Sequence, residues 1–196
     1  MSVAKRQLSA IMFTDLAGYT AMMQEDEFNA IGIRDKHREI LEKEVAAHNG
    51  EILQYYGDGA LTIFNSTISA ANASLSIQKQ SIAGKIPLRI GIHAGDVVID
   101  SEGVYGDGVN IASRIESFSV PGSVMISEKV FDDIKNHQYF IPVLMGEFAL
   151  KNVKRPVEVY ALTNDGLVVP RRTELKGKVK DRIKSIAVLP FINRST

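Results

Sequence analysis

Asp15 and Asp58 are the two residues of this sequence best placed to do chemistry. Asp15 ends an apolar run over residues 8–14, and Asp58 stands in the triplet Gly57-Asp58-Gly59. Each has a plain structural use, since aspartate caps helices and Asp-Gly forms tight turns. As a pair they would offer hard oxygen ligands of the kind that suit Mg²⁺ or Mn²⁺ carried in by a triphosphate. Two adjacent carboxylates also repel one another, which raises one pKa unless a cation lies between them. Directly after Asp15, the turn Leu16-Ala17-Gly18-Tyr19-Thr20 leads toward a helix. Free backbone N–H groups at such a helix start form an anion site, where β- and γ-phosphates would rest. One metal holding a triphosphate while another activates a hydroxyl is the logic of two-metal phosphoryl transfer.

The surrounding elements determine whether these groups meet. Residues 8–14 (LSAIMFT) read as a buried strand. A long helix is expected over 25–48, with Phe28, Ile31, Leu41 and Val45 near one face and Asn49-Gly50 as its stop. Residues 51–56 and 60–64 flank the Gly-Asp-Gly tip as a hairpin. An alanine-rich helix follows over 67–84, then strands at 87–94 and 97–99. Gly106-Asp107-Gly108 opens a short helix over 109–118, followed by a strand at 124–126 and a small helix from about residue 127. Strands at 139–149 and 157–162 close the pattern. The order β-α-β-β-α-β with C-terminal additions predicts an α+β fold with a ferredoxin-like core. In that topology the first strand lies antiparallel to the third. The end bearing Asp15 then sits beside the start that follows Asp58, and the topology brings the two carboxylates together.

Composition narrows the class. The chain has 196 residues, 45% of them hydrophobic and 23% charged, enough for one globular domain and some extra length. Its net charge is zero, so nothing global favours nucleic acid or an anionic membrane, and phosphate binding must be local. The lack of cysteine excludes disulfides, thiolate metal sites and cysteine nucleophiles, and fits a reducing cytoplasm. The opening MSVAKRQLSAIMF has no apolar stretch of signal-peptide length, and no run approaches a membrane span. A cytoplasmic protein with no membrane segment within this chain is expected. After Pro170 the balance turns basic, with Arg171, Arg172, Lys176, Lys178, Lys180, Arg182 and Lys184 against Glu174 and Asp181. The expected organisation is a domain over 1–165, a basic linker over 166–184, and the start of a second domain over 185–196.

Four motifs carry a resemblance. FTDLAGYT (13–20), YYGDGALTIF (55–64), RIGIHAGDVV (89–98) and YGDGVNIASRIE (105–116) resemble, in order and spacing, the catalytic domains of class III adenylate/guanylate cyclases. LKNVKRPVEVYAL (150–162) resembles the closing strand pair of the same domains, and SIAVLPF (185–191) the opening of TolB-like domains. The resemblance implies the class III cyclase fold and an ATP-consuming cyclase, active as a homodimer with shared sites and two Mg²⁺ or Mn²⁺ ions per site. It places Asp15 and Asp58 as metal ligands, with Leu16 lending a carbonyl. Asn110 and Arg114 fall on the transition-state pair, one helical turn apart and so facing the same way. Arg114 would neutralise charge on the α-phosphate, Asn110 would orient the ribose, and both would act across the dimer. Lys151 resembles the lysine that grips the triphosphate tail. The plain alternative for Arg114 is a surface arginine paired with Glu116.

Base reading departs from the family. Adenylate cyclases place a lysine and an aspartate where this sequence has Gln54 and Gly103, and guanylate cyclases favour glutamate and cysteine there. Gln54 can donate and accept, so it could read either purine. Asp96 stands where some relatives carry a phosphate-directed arginine. ATP is the expected substrate, with a guanylate cyclase or a degenerate nucleotide-binding or dimerisation module as alternatives. An RNA-binding ferredoxin-like domain would need aromatic residues on the central strands, which read IMFT and LTIF. The Gly-Gly-Asp-Glu-Phe hairpin of diguanylate cyclases is absent. His93, in a strand, reads as a core or loop histidine, and His37, His48 and His137 have no ligand spacing.

Overall fold

The computed structural model describes residues 5–101, 103–151, 153 and 155–175. Its elements are β1 (Lys5–Leu16), α1 (Tyr19–Glu25), α2 (Glu27–Ala47), β2 (Gly50–Tyr56), β3 (Gly59–Phe64), α3 (Thr67–Ala83), β4 (Leu88–Asp100), β5 (Gly103–Tyr105), α4 (Asp107–Phe118), β6 (Val124–Ser127), α5 (Glu128–Ile134), β7 (Pro142–Phe148) and β8 (Val157–Leu162). The strands form one sheet in the order β2-β3-β1-β4-β6-β8-β7, with β5 paired to β4 beside this path. β1 is antiparallel to both β3 and β4, the arrangement expected of an α+β, ferredoxin-like core.

Side chains alternate across the sheet and divide it into two faces. From β1, Ala10, Met12 and Leu16 join Leu41 and Val45 of α2 and Ala70, Leu75 and Ile77 of α3 in the largest core cluster. On the other face Ile11 packs with Leu61, Ile63 and Val97 against Val109 and Ala112 of α4. Asp15 and Phe13 share the parity of Ile11 and so lie on the α4 side.

Three expectations are corrected. The helix expected over 25–48 is α2, which starts at Glu27 because Asp26 takes an extended conformation and accepts a hydrogen bond from Asn29 N at 3.0 Å; the separate short helix α1 precedes it. The inward face of α2 is Ala30, His37, Leu41, Glu44 and Val45, while Phe28 is 89% exposed. Leu41 and Val45 face inward as expected, whereas Phe28, nine residues before His37 and thirteen before Leu41, lies on roughly the opposite side of α2. The strands at 87–94 and 97–99 are one, β4, since its register with β1 runs unbroken from Leu16↔Leu88 to Lys5↔Ile99.

The described part of the expected linker lies against the domain. Val168 N donates to Gly122 O at 3.0 Å, and Leu175 is buried among Phe148, Leu150 and Val157. Residues 176–196, on which the expected start of a TolB-like domain falls, lie outside the described residues. Among the described residues, no helix is long and apolar enough to cross a membrane.

Candidate active site

The β2–β3 tip delivers Asp58 to the end of β1. Gly57 takes a φ of +61°, a turn conformation open to glycine, and β3 pairs with β1 from Thr14↔Ala60 onward. Asp58 Oδ2 accepts a hydrogen bond from Leu16 N at 3.2 Å, so the second carboxylate touches the main chain that follows the first. Desolvation pushes the Asp58 carboxyl up, and the charge of Asp15 pushes it the same way. The N–H of Leu16 and a main-chain contact within Asp58 itself oppose this only in part.

A cavity of about 350 Å³ opens at this point. Asp15, Phe13 and Gly59 form one side, Tyr56 borders it, and Val109, Asn110 and Glu116 of α4 form the other. Asn110 and Arg114 are both on the exposed face of α4, as a spacing of four residues requires. Asn110 borders the cavity of its own chain, whereas Arg114 does not.

The donor chemistry fits a divalent cation. Burial and the charge of Asp15 raise the cost of ionising Asp58 here, and a hard cation beside it would relieve that cost. Among the described residues no three acidic, histidine or cysteine side chains gather as a metal cluster. Oxygens of phosphate, main chain or water would therefore complete a coordination sphere.

The turn after Asp15 keeps less free backbone than its sequence suggests. Leu16 N is used by Asp58, and Ala17 N donates to Pro87 O at 2.9 Å. Of the turn expected to bind phosphate, this leaves Gly18, Tyr19 and Thr20, where Gly18 has a φ of +77° ahead of α1. Gln54 is exposed on β2 and pairs with Leu61 just past a bulge at Leu53. Gly103 opens β5 with a φ of +152°, and a Cβ placed there would lie 3.2 Å from Tyr105 Oη. Lys151 is exposed beyond β7 and takes no part in the ion pairs around Asp15. Asp96 is exposed and lines a separate cavity with Arg6, His93 and Lys129.

Arg89 and Glu116 belong to the site although their types and spacing did not single them out. Arg89 pairs with Asp15 in the β1–β4 register, and its Nη2 donates to Asp15 Oδ2. Its Nε lies 3.0 Å from Glu116 Oε1, a charge contact rather than an aligned hydrogen bond. Glu116 is 8% exposed and faces inward to Arg89, while Arg114 points outward, so the surface pair considered for Arg114 does not form. Only the register could have found this network.

Two histidines are buried and neutral. His37, fully buried, lies near Asp15 and the main chain of Asp58, with no aligned partner on either ring nitrogen. Burial lowers its pKa to about 4. His93 is within 2.8 Å of Ser127 Oγ through Nδ1, and burial lowers its pKa to about 4 as well.

Comparison with known proteins identifies the family and the fold. The family model for the adenylate and guanylate cyclase catalytic domain matches residues 2–164. The chain is 32% identical over 202 residues to the protein provisionally named adenylate cyclase 3 of Rhizobium meliloti (strain 1021), covering 97% of this chain and 34% of that one. It is 26% identical to adenylate cyclase 1 of the same organism, covering 80% of this chain and 28% of the relative. The chain therefore spans about a third of the length of the curated relatives it matches. Among solved structures, an adenylate/guanylate cyclase/hydrolase from Silicibacter pomeroyi superposes with a TM-score of 0.76 at 30% identity, covering 83% of this chain and 99% of that one.

Proposed function

Since the chain belongs to the adenylate and guanylate cyclase catalytic-domain family, we propose that it converts a purine nucleoside triphosphate, ATP first, to the 3′,5′-cyclic monophosphate and pyrophosphate. The observation that carries this reading is the approach of Asp58 to the chain end that bears Asp15, beside a cavity that Asp15 and Gly59 line. Asp15, Asp58 and the Leu16 carbonyl would hold two Mg²⁺ or Mn²⁺ ions. Those ions would supply charge neutralisation and a lowered pKa at the attacking ribose 3′-hydroxyl.

The chain's own groups do the rest. Backbone N–H groups of Gly18, Tyr19 and Thr20 cradle the terminal phosphates, and Lys151 grips the same tail. Arg114 offsets the negative charge that builds on the α-phosphate as the 3′-oxygen attacks in line and pyrophosphate departs. Asn110 holds the ribose so that this oxygen faces phosphorus. Arg114 does not border the cavity of its own chain, which supports its supply by a second copy. A symmetric dimer would then hold two equivalent sites, each built from both chains.

Base choice is set by Gln54 and by the space at Gly103. Gln54 presents an amide that both donates and accepts, which suits either purine. An aspartate at 103 would have to adopt the φ of +152° and push the Tyr105 hydroxyl, 3.2 Å from its Cβ, aside by a few tenths of an ångström, and the glycine present has no side chain with which to read adenine. That observation keeps GTP as the second substrate to test, and a degenerate nucleotide-binding or dimerisation module as the non-enzymatic alternative.

The test incubates the protein with Mn²⁺ and ATP, GTP, CTP or UTP in turn, and separates products by chromatography. The wild type should yield one cyclic product, and Asp58→Ala and Arg114→Ala should each lose about 10²-fold or more of the rate. No cyclic nucleotide from any of the four, with folded dimeric protein, would give precedence to the degenerate module.

A further inference from the structure

Resting on the cyclase reading, we propose that Arg89 is a positioning residue that fixes the carboxylate of Asp15 and ties it to Glu116 on α4, the helix that carries Asn110 and Arg114. Asp15 and Arg89 are directly opposed in the β1–β4 register, on the face that α4 covers. The guanidinium donates to Asp15 Oδ2 through Nη2 and meets Glu116 Oε1 at 3.0 Å through Nε. One planar fork therefore spans two carboxylates on different elements, a geometry that a single ammonium does not reproduce.

The grip on Oδ2 determines what the other oxygen does. Asp15 Oδ1 lies on the Gly59 side, 3.2 Å from where a Cβ at Gly59 would stand and next in sequence to Asp58. Arg89 thus turns one oxygen of Asp15 toward the place a cation would share with Asp58. The other end of the link is equally fixed, because Gly91 lets the main chain of Glu116 lie directly on β4, with its Cα 2.6 Å from the position of a Cβ. Arg89 pairs with both Asp15 and Glu116, and Asp15 in turn bears on the charge of Asp58. The guanidinium is the positive charge shared between the two carboxylates it touches.

The experiment uses the full chain with Arg89→Gln, Arg89→Lys, Glu116→Gln and the Arg89→Gln/Glu116→Gln double variant. The first readout is thermal unfolding in EDTA and then in saturating Mn²⁺, without nucleotide. Arg89→Gln should melt lower than wild type in EDTA, and Mn²⁺ should raise its Tm by at least about 3 °C more than it raises that of wild type. A role confined to packing would lower both curves equally. The second readout is cyclisation at saturating Mn²⁺ and nucleotide. Here kcat should fall at least about tenfold in both Arg89 variants, with the nucleotide KM changed by less than about threefold. The double variant should be within about twofold of Arg89→Gln, since both substitutions cut one link.

Wild-type kcat in Arg89→Lys, equal Mn²⁺ shifts in Arg89→Gln and wild type, or additive losses in the double variant would each overturn the proposal. If the wild type makes no cyclic nucleotide while the Mn²⁺ shifts differ as stated, the cyclase reading fails and the positioning of Asp15 stands.

Discussion

Asp58 is held where its charge is costly in the absence of a cation. Its carboxyl pKa is raised by desolvation and by Asp15, so the stability tied to its protonated form is present at acid pH. That stability is lost as pH rises through the folded-state value. Asp58→Asn keeps an acceptor for Leu16 N and removes the charge. Its expected outcome is a higher Tm in EDTA at pH 7 together with loss of cyclisation, measured by scanning calorimetry and product assay. His37 and His93 act in the opposite sense. Their pKa values fall from 6.5 to about 4, so their contribution is complete above the unfolded value and is lost as pH falls toward the folded one. Each shift corresponds to an upper bound on the order of 3 kcal/mol. The urea midpoint should therefore drop between pH 7 and pH 4.5, and His37→Leu should flatten that drop. Because Asp58 acts in the opposite sense, the check is made in the Asp58→Asn background, where a midpoint unchanged over this range would show that neither imidazole is held neutral.

At the scale of elements, the contact between β4 and α4 decides where Asn110 and Arg114 stand. Gly91 is the point of closest approach, where a Cβ would meet the nitrogen and Cα of Glu116. Gly91→Ala should destabilise the fold by about 1–3 kcal/mol in urea titration, because backbone lies on both sides and neither yields easily. On the proposed function it should also reduce cyclisation beyond what the lost stability explains, since α4 is displaced together with Asn110 and Arg114. Element order, the hairpin tip and the opposition of β1 and β3 were legible in the sequence through alternation and turn residues. The exposure of Phe28 was not, because an apolar residue in the first turn of α2 reads as part of the inward face although it lies opposite His37 and Leu41. The start of α2 is set by Asp26, whose side chain accepts from Asn29 N. The continuity of β4 through Gly95 was equally hidden, because twelve paired positions on β1 outweigh one weak residue.

For the whole molecule, the shared-site reading makes a test that needs no structure of the dimer. Asp58→Ala and Arg114→Ala chains, each inactive alone, should regain about a quarter of wild-type activity when mixed in equal amounts and allowed to exchange. Half of the dimers would then be mixed, and each of these would carry one intact site of two. Failure to complement, with exchange demonstrated, would place Arg114 in the site of its own chain.

By itself the sequence determined the α+β class, the two aspartates and the reason they meet, because strand order and turn chemistry are written in local residue patterns. It also singled out Asn110 and Arg114, whose spacing on one helix face survives any packing of that helix. Tertiary structure alone decided that Arg89 and Glu116 complete the surroundings of Asp15, and that Leu16 and Ala17 spend their N–H groups on protein partners. Those features depend on register between strands 74 residues apart and on how closely one helix approaches the sheet. No local pattern encodes such distances, since they follow from the summed packing of both faces.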